Sequence, residues 1–457
     1  MRTLPLALIA ALLFVACGSV ASPAPEDDGA ALPDADDPIA FVNVTILPMD
    51  GTDRLREGQT VVVEGERIVA VGPADAVEVP DGATVVDGTG KYLLPGLAEM
   101  HGHIPPPTAP RDFIENVLFL YVANGITTVR GMLGWPGQLA LREEANRGDL
   151  VAPTLYLAGP SFNGNSVSSP EQARQMVREQ VAEGWNLLKI HPGLTRAEYD
   201  AMAETANELG IRFGGHVPAD VGLLHALAMG QETFDHVDGY VEYLMEVDEA
   251  RVDAAALADV VRRSREAGAW IVPTMALWEV LYGTRTLEEL QAYDELKYFP
   301  PGQVEQWVST HRQRLASPQR DAAAAQRVID ARMQVLGALR DGGVRILMGT
   351  DAPQQFSVPG FSLHRELQVM EDAGMTPYEI IETGTKQVGD YFANEDAFGT
   401  IAEGQRADLL LVDANPLDDL GALQQRSGVM VRGQWLSEAA IQQRLAAIAA
   451  EYADDGS

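Results

Sequence analysis

Five residues of this 457-residue chain are of types that hold divalent cations and stand at or just after the ends of short apolar segments: His101, His103, His216, His236 and Asp351. His101 and His103 stand two apart around Gly102, a spacing that turns both imidazoles to one side of an extended strand. A mixed set of imidazole and carboxylate suits zinc best, although other divalent ions fit it too. The chemistry such a site offers is hydrolytic, because a bound cation acidifies water and polarises a carbonyl, with no Ser or Cys nucleophile required. Each residue has a plainer alternative when taken alone. His-Gly-His can be a solvated turn, His216 and His236 satisfied core histidines, and Asp351 a helix cap. As a set they are poor core material, since buried polar groups need partners.

The elements that would position them are short apolar strands alternating with helical stretches. The strands read Leu97–His101, Gly125–Val129, Thr154–Leu157, Asn186–Ile190, Ile211–His216, Glu232–His236, Trp270–Thr274 and Val344–Thr350. That alternation predicts parallel βα units, and the count of about eight predicts a TIM (β/α)8 barrel, here 94–396. The five residues fall at or just after strand C-termini, where the loops of such a barrel form its mouth. An aromatic and charged insertion at about 277–317 breaks the rhythm and reads equally as a lid or as an ornament. Short β-branched strands between Gly, Asp and Pro turns fill 39–93 and return in 397–440, which predicts a small β-sandwich domain built from both chain ends. A C-terminal helix and tail occupy 441–457.

The segment Leu94-Pro95-Gly96-Leu97-Ala98-Glu99-Met100-His101-Gly102-His103 resembles the opening metal motif of the amidohydrolase superfamily. Gly349-Thr350-Asp351-Ala352 resembles its closing motif, and Gly399 to Leu409 resembles its return to the β-domain, so the similarity runs from about Phe41 to Asp418. Gly214-Gly215-His216-Val217-Pro218 and Phe234-Asp235-His236-Val237-Asp238 are similar to the imidazolonepropionase-like group that includes Xaa-Pro dipeptidases with a carboxylated lysine. The resemblance implies two divalent ions, one on His101, His103 and Asp351 and the other on His216 and His236, with a carboxylated Lys189 between them. It also implies a bridging water as nucleophile and Asp351 as the group that moves its proton. A free ammonium would be repelled by two cations, whereas a lysine carbamate is an anion able to bridge them. Lys189, one of four lysines in the chain, sits at a strand end in Leu188-Lys189-Ile190-His191; the alternative is a surface lysine beginning a loop. His191 faces the same way and would touch substrate or support the site. Tyr240 and Tyr243, after the sixth strand, would bind a substrate carbonyl or carboxylate, or simply pack. Phe162-Asn163-Gly164-Asn165 is an equally polar loop after the third strand. Arg130 is followed by Gly131 where the group carries an acidic residue.

Composition bounds the rest. With 33 basic and 66 acidic residues the net charge is −33, which repels nucleic acid and anionic membrane surfaces. Hydrophobic residues at 46% and charged residues at 22% are those of a soluble globular chain. Residues 1–16 carry Arg2 and an apolar run too short to span a bilayer, and read as an export signal. Leu13-Phe14-Val15-Ala16-Cys17 resembles a bacterial lipobox. Cys17, the chain's single cysteine, is therefore expected to be lipidated, the alternative being a buried structural thiol. Residues 17–38, rich in Ala, Pro and Asp, form a flexible tether. The expectation is an exported bacterial lipoprotein on the periplasmic side of a membrane or at the cell surface, touching the membrane through that anchor alone, with a homo-oligomer left open.

These features point to hydrolysis of an amide or peptide bond in a small molecule of Xaa-Pro dipeptide or N-acyl amino acid type. A lactonase or phosphotriesterase is the alternative on the same two-metal site. An inactive lipid-anchored binding protein is a third, disfavoured because it has no need of a full ligand set.

Overall fold

Strands of β-branched and aromatic residues open the described part of the chain, which in a computed structural model comprises residues 37–52, 54–247 and 252–454. The leader 1–16 lies outside the described residues, as does Cys17 and all but the last two residues of the tether. Among the described residues no helix is long and apolar enough to cross a membrane.

The first five strands are β1 (Ile39–Ile46), β2 (Arg56–Glu64), β3 (Arg67–Pro73), β4 (Thr84–Asp87) and β5 (Tyr92–Pro95). Eight more follow: β6 (Leu97–Gly102), β7 (Ile126–Gly131), β8 (Thr154–Leu157), β9 (Leu187–Ile190), β10 (Arg212–Gly215), β11 (Thr233–Asp235), β12 (Trp270–Val272) and β13 (Arg345–Ile346). The chain closes with β14 (Leu409–Val412), β15 (Arg426–Val431), β16 (Gln434–Ser437) and a helix, Glu438–Asp454.

The β-domain does draw on both chain ends, but it is not the expected sandwich. One mixed sheet runs β16-β15-β14-β5-β1-β2-β3, with β4 also paired to β1. The physical reason is β5. One edge of it pairs in parallel with β1 (Tyr92 opposite Thr45) and the other pairs antiparallel with β14 (Leu94 opposite Leu410). The two contributions are therefore joined edge to edge through β5 into one continuous sheet. The sheet curls over its own core of Phe41, Val61, Leu93, Leu411 and Met430, so Phe41 on β1 meets Trp435 on β16 edge-on at 5.1 Å.

Strands β6 to β13 are parallel and form two groups, β6-β7-β8 and β13-β12-β11-β10-β9. Helices cover them, so β6 to β9 are buried along their whole length, as parallel strands with both faces covered must be. Backbone hydrogen bonds also cross both gaps between the groups. Phe162 N donates to Lys189 O (2.8 Å) on one side, and Met100 N to Met348 O and Asp351 N to His101 O (both 2.8 Å) on the other. Local signals set the helix ends. Thr195 and Glu198 form a reciprocal capping box at the start of Arg196–Leu209, and Gly210 ends that helix in the left-handed region.

The insertion after β12 folds as helices Met275–Leu281, Leu287–Gln291 and Pro301–Ala316 with a 3₁₀ turn, Asp294–Tyr298. Trp307 stacks on Phe299 at 5.0 Å and lies 5.9 Å from Phe356, a buried residue of the loop that follows Asp351. This apolar joint holds the insertion on the strand ends that carry the candidate ligands. Trp307→Ala should lower unfolding stability by about 3–5 kcal/mol through the cavity left in that joint. Urea denaturation followed by circular dichroism checks this, and an unchanged midpoint would show the insertion to be held elsewhere.

Candidate metal centre

Alternation along β6 and the bend after it bring His101 and His103 to the C-terminal strand end, where Asp351 arrives from the segment after β13. His103 Nε2 is 2.6 Å from Asp351 Oδ1 and His101 Nε2 is 3.7 Å from the same oxygen. One ligand atom from each of His101, His103 and Asp351 lies within 4.8 Å of the others, a spacing that could hold an ion. His236 adjoins this trio, with Nε2 at 3.8 Å from Asp351 Oδ2 and its ring centroid 4.5 Å from that of His101. His216 continues the row, 4.5 Å from His236, and His191 stacks against it at 5.2 Å. Lys189 is fully buried, with Nζ 3.1 Å from His101 Nε2. All six expected ligands and His191 thus meet in one cluster.

Room for Lys189 is made by a glycine. At Gly215, with φ +121°, a Cβ would lie 2.5 Å from Ile190 O and 3.0 Å from Lys189 Cδ. The strand-end backbone is unusual at the ligands too: His236 (φ 65°), Val237 (φ 56°) and Asp351 (φ 64°) are all left-handed. Non-glycine residues in that region are strained, most of all the β-branched Val237, and such strain gathers at functional sites.

Neighbouring groups fix the histidine rings. His216 Nδ1 is hydrogen-bonded to Asp238 Oδ2 (2.6 Å) and His236 Nδ1 to Thr274 Oγ1 (2.7 Å). His101 Nδ1 lies 2.9 Å from Asp235 Oδ2, a close contact not aligned as a hydrogen bond. With Nδ1 occupied in this way, the Nε2 lone pairs are left for the cluster, the arrangement metal-binding histidines adopt. His236 Nε2 is buried without a hydrogen-bond partner among the described residues, which a cation among these donors would remedy. The residues therefore fit a divalent metal.

Electrostatics agree with that fit. Burial, reinforced by Lys189 and neighbouring histidines, holds His101 and His191 well below the ordinary imidazole range, and burial with His216 and His101 does the same for His236. They are neutral, as ligands must be. Burial pushes the Lys189 amine down to about 8, against the opposing pull of Asp235 and Asp351. Burial would raise Asp235, but Arg130 and Lys189 outweigh it and hold its carboxyl below the usual range. Glu99 is driven up to about 8 by burial, even though it accepts from His101 N (2.9 Å), Thr350 N (2.8 Å) and Thr350 Oγ1 (2.6 Å). The two bonds from Thr350 tie β6 to the segment bearing Asp351.

Tyr240 is not a substrate contact. Its hydroxyl is 2.7 Å from Ser264 Oγ on the helix Ala254–Ala267, and its ring packs against Phe234, which points to the opposite face of β11 from Thr233 and Asp235. Asn163 likewise serves its own loop, bonding Ser161 and Ser166, beside a buried Phe162. Arg130 is fully buried and bonds Met100 O (2.6 Å), Thr233 Oγ1 (3.1 Å) and Asp235 Oδ1 (3.3 Å). A Cβ at position 131 would meet Leu157 Cδ2 at 2.6 Å, so a larger residue there would require Leu157 to shift. Glu99, Asp235, Asp238 and Thr274 were not singled out from the sequence; the signal for the acids was their place one or two residues from a ligand histidine.

Sequence comparison places these motifs among known proteins. Over 398 residues the chain is 24% identical to adenine deaminase 3 of Rhizobium meliloti (strain 1021), matching 83% of this chain and 55% of that protein. The chain thus spans about half the length of that curated relative. Among solved structures, bottromycin amidohydrolase superposes with a TM-score of 0.71 at 23% identity, covering 92% of this chain and 94% of that one. A Xaa-Pro dipeptidase with methionine bound in its active site superposes with a TM-score of 0.67 at 20% identity, covering 88% and 100%. The amidohydrolase family model matches residues 92–436, and the chain, with its α/β amidohydrolase fold, belongs to that family.

Proposed function

We propose that this protein is a metal-dependent hydrolase acting on C–N bonds, cleaving an amide or peptide bond in a small substrate of Xaa-Pro dipeptide or N-acyl amino acid type. Family membership supports the reaction class. The observation that carries the reading is the convergence of His101, His103 and Asp351 beside His236, whose buried Nε2 has no hydrogen-bond partner among the described residues. In this reading the backbone bonds across both strand gaps close β6 to β13 into a barrel, with the cluster at its mouth.

His101, His103 and Asp351 would hold one ion and His216 and His236 a second, with carboxylated Lys189 between them and zinc as the metal. Divalent ions there supply an acidified water and a polarised carbonyl. The chain's own groups do the rest. Asp351 accepts the proton of the attacking water and returns it to the leaving nitrogen as the C–N bond breaks. Asp238 and Thr274 keep His216 and His236 in the tautomer that turns Nε2 inward. The depressed affinity of the Lys189 amine for its proton favours the neutral form that can add CO₂.

Two experiments test this. Purified protein should contain close to two divalent ions per chain by elemental analysis and lose turnover on chelation, and His101→Ala or His103→Ala should lower kcat at least about 1000-fold in a folded protein. A panel of dipeptides, N-acyl amino acids, adenine, a lactone and a phosphotriester reads the bond cleaved; turnover of the lactone or phosphotriester alone would overturn the C–N assignment.

Lys189→Ala should lose activity and at least one ion, because the remaining ligands cannot hold two cations close together without an intervening anion. Formate or acetate should partly restore the rate by taking the vacated place, and Lys189→Arg should not, since a guanidinium keeps its charge. Full metal content and near-native turnover in Lys189→Ala would make the lysine a bystander.

A further inference from the structure

Trp278 stands beside His236 on the helix Met275–Leu281, which starts just beyond the end of β12. Its ring stands edge-on to His236, with centroids 5.8 Å apart and planes at 63°. Met275 and Leu277 on the same helix are buried, whereas Trp278 keeps part of its surface exposed. Three contacts hold the indole. The Arg332 guanidinium lies 4.2 Å from the ring centroid, and Tyr282 packs at 5.6 Å and 37°. Arg332 is itself fixed, donating to the His236 carbonyl and lying 3.4 Å from Asp238 Oδ1. The indole Nε1 has no hydrogen-bond partner among the described residues, so stacking and not its polar edge sets the ring's position.

We propose that Trp278, backed by Arg332 and Tyr282, is the wall of a substrate subsite that takes a neutral aromatic group next to the scissile bond. The argument is electrostatic as well as steric. A guanidinium over the ring already draws on its negative quadrupole, so a second cation on this indole is disfavoured, and a neutral ring stacking offset or edge-on is not. Trp278 combines partial exposure with a ring contact to a metal-ligand candidate, the position of a side chain that can meet a substrate there. The inference rests on the hydrolase reading for the name of the bond, but not for the recognition itself.

The test therefore reads binding as well as turnover. Zinc-loaded protein is titrated calorimetrically with phenylacetate and with cyclohexylacetate, which match in charge and differ in aromaticity. Wild type should prefer phenylacetate by roughly 3- to 10-fold. Trp278→Leu should abolish that preference with zinc content unchanged, and Trp278→Phe should retain part of it. The same substitution should cut kcat/KM for an N-acyl-phenylalanine relative to an N-acyl-leucine, mainly through KM. Equal affinity of wild type for the two probes, or no binding of either, would overturn the proposal. So would loss of zinc in Trp278→Leu, which would make the residue a support for His236. An aromatic preference in a protein that cleaves no amide would leave this inference standing and remove the proposed reaction.

Discussion

A carboxylate with no solvent exposure must be neutralised where it lies, and Asp235 is such a group at the centre of this molecule. Its charge is met by Arg130 at 3.3 Å, with the neutral His101 imidazole (Nδ1 at 2.9 Å) and Lys189 Nζ (3.8 Å) packed against the same carboxylate. Removing one partner from a buried pair costs about 3–5 kcal/mol, so the four residues form one unit and not four independent choices. Through that unit β6, β7, β9 and β11 are pinned at the same level, and the imidazole of His101 is turned with Nε2 toward the cluster. Arg130 also binds the carbonyl of Met100, one residue before His101. The ligand geometry thus depends on an ion-pair network beneath it.

A second layer works in the same direction from above. Glu99 ties His101 N to Thr350, so the opening and closing motifs cannot drift apart. Left-handed residues at His236, Thr274 and Asp351 turn the chain sharply as each strand ends, placing side chains over the cluster instead of along the strand. These conformations cost of order 1–3 kcal/mol each and persist only where the surroundings over-determine them. The molecule accepts strain at the strand ends because the strands themselves are locked below.

Much of this was legible in the sequence, and the limits have physical causes. His101 and His103 stood out because two histidines at i and i+2 share a face of a strand, and His216, His236 and Asp351 because each follows an apolar strand. Asp235 and Asp238 did not stand out because, with 66 acidic residues in the chain, an acid beside a histidine carries little information. Thr274 acts through a backbone conformation no residue pattern announces. Tyr240 misled because a residue shortly after a strand end can return to either side of it, and here it turns to the outer face. The β-domain was legible as strands from both ends but not as one sheet, since the pairing of both edges of β5 is a long-range choice that alternation leaves undetermined.

The central claim is that the histidine and aspartate cluster above Asp235 is a metal centre bridged by Lys189. Anomalous diffraction at the zinc edge from crystals of the zinc-loaded protein tests it most directly. One peak is expected among His101, His103 and Asp351 and a second beside His216 and His236, with density extending Lys189 Nζ between them as a carbamate. No peak at His101, His103 and Asp351 in protein that turns over substrate would contradict it.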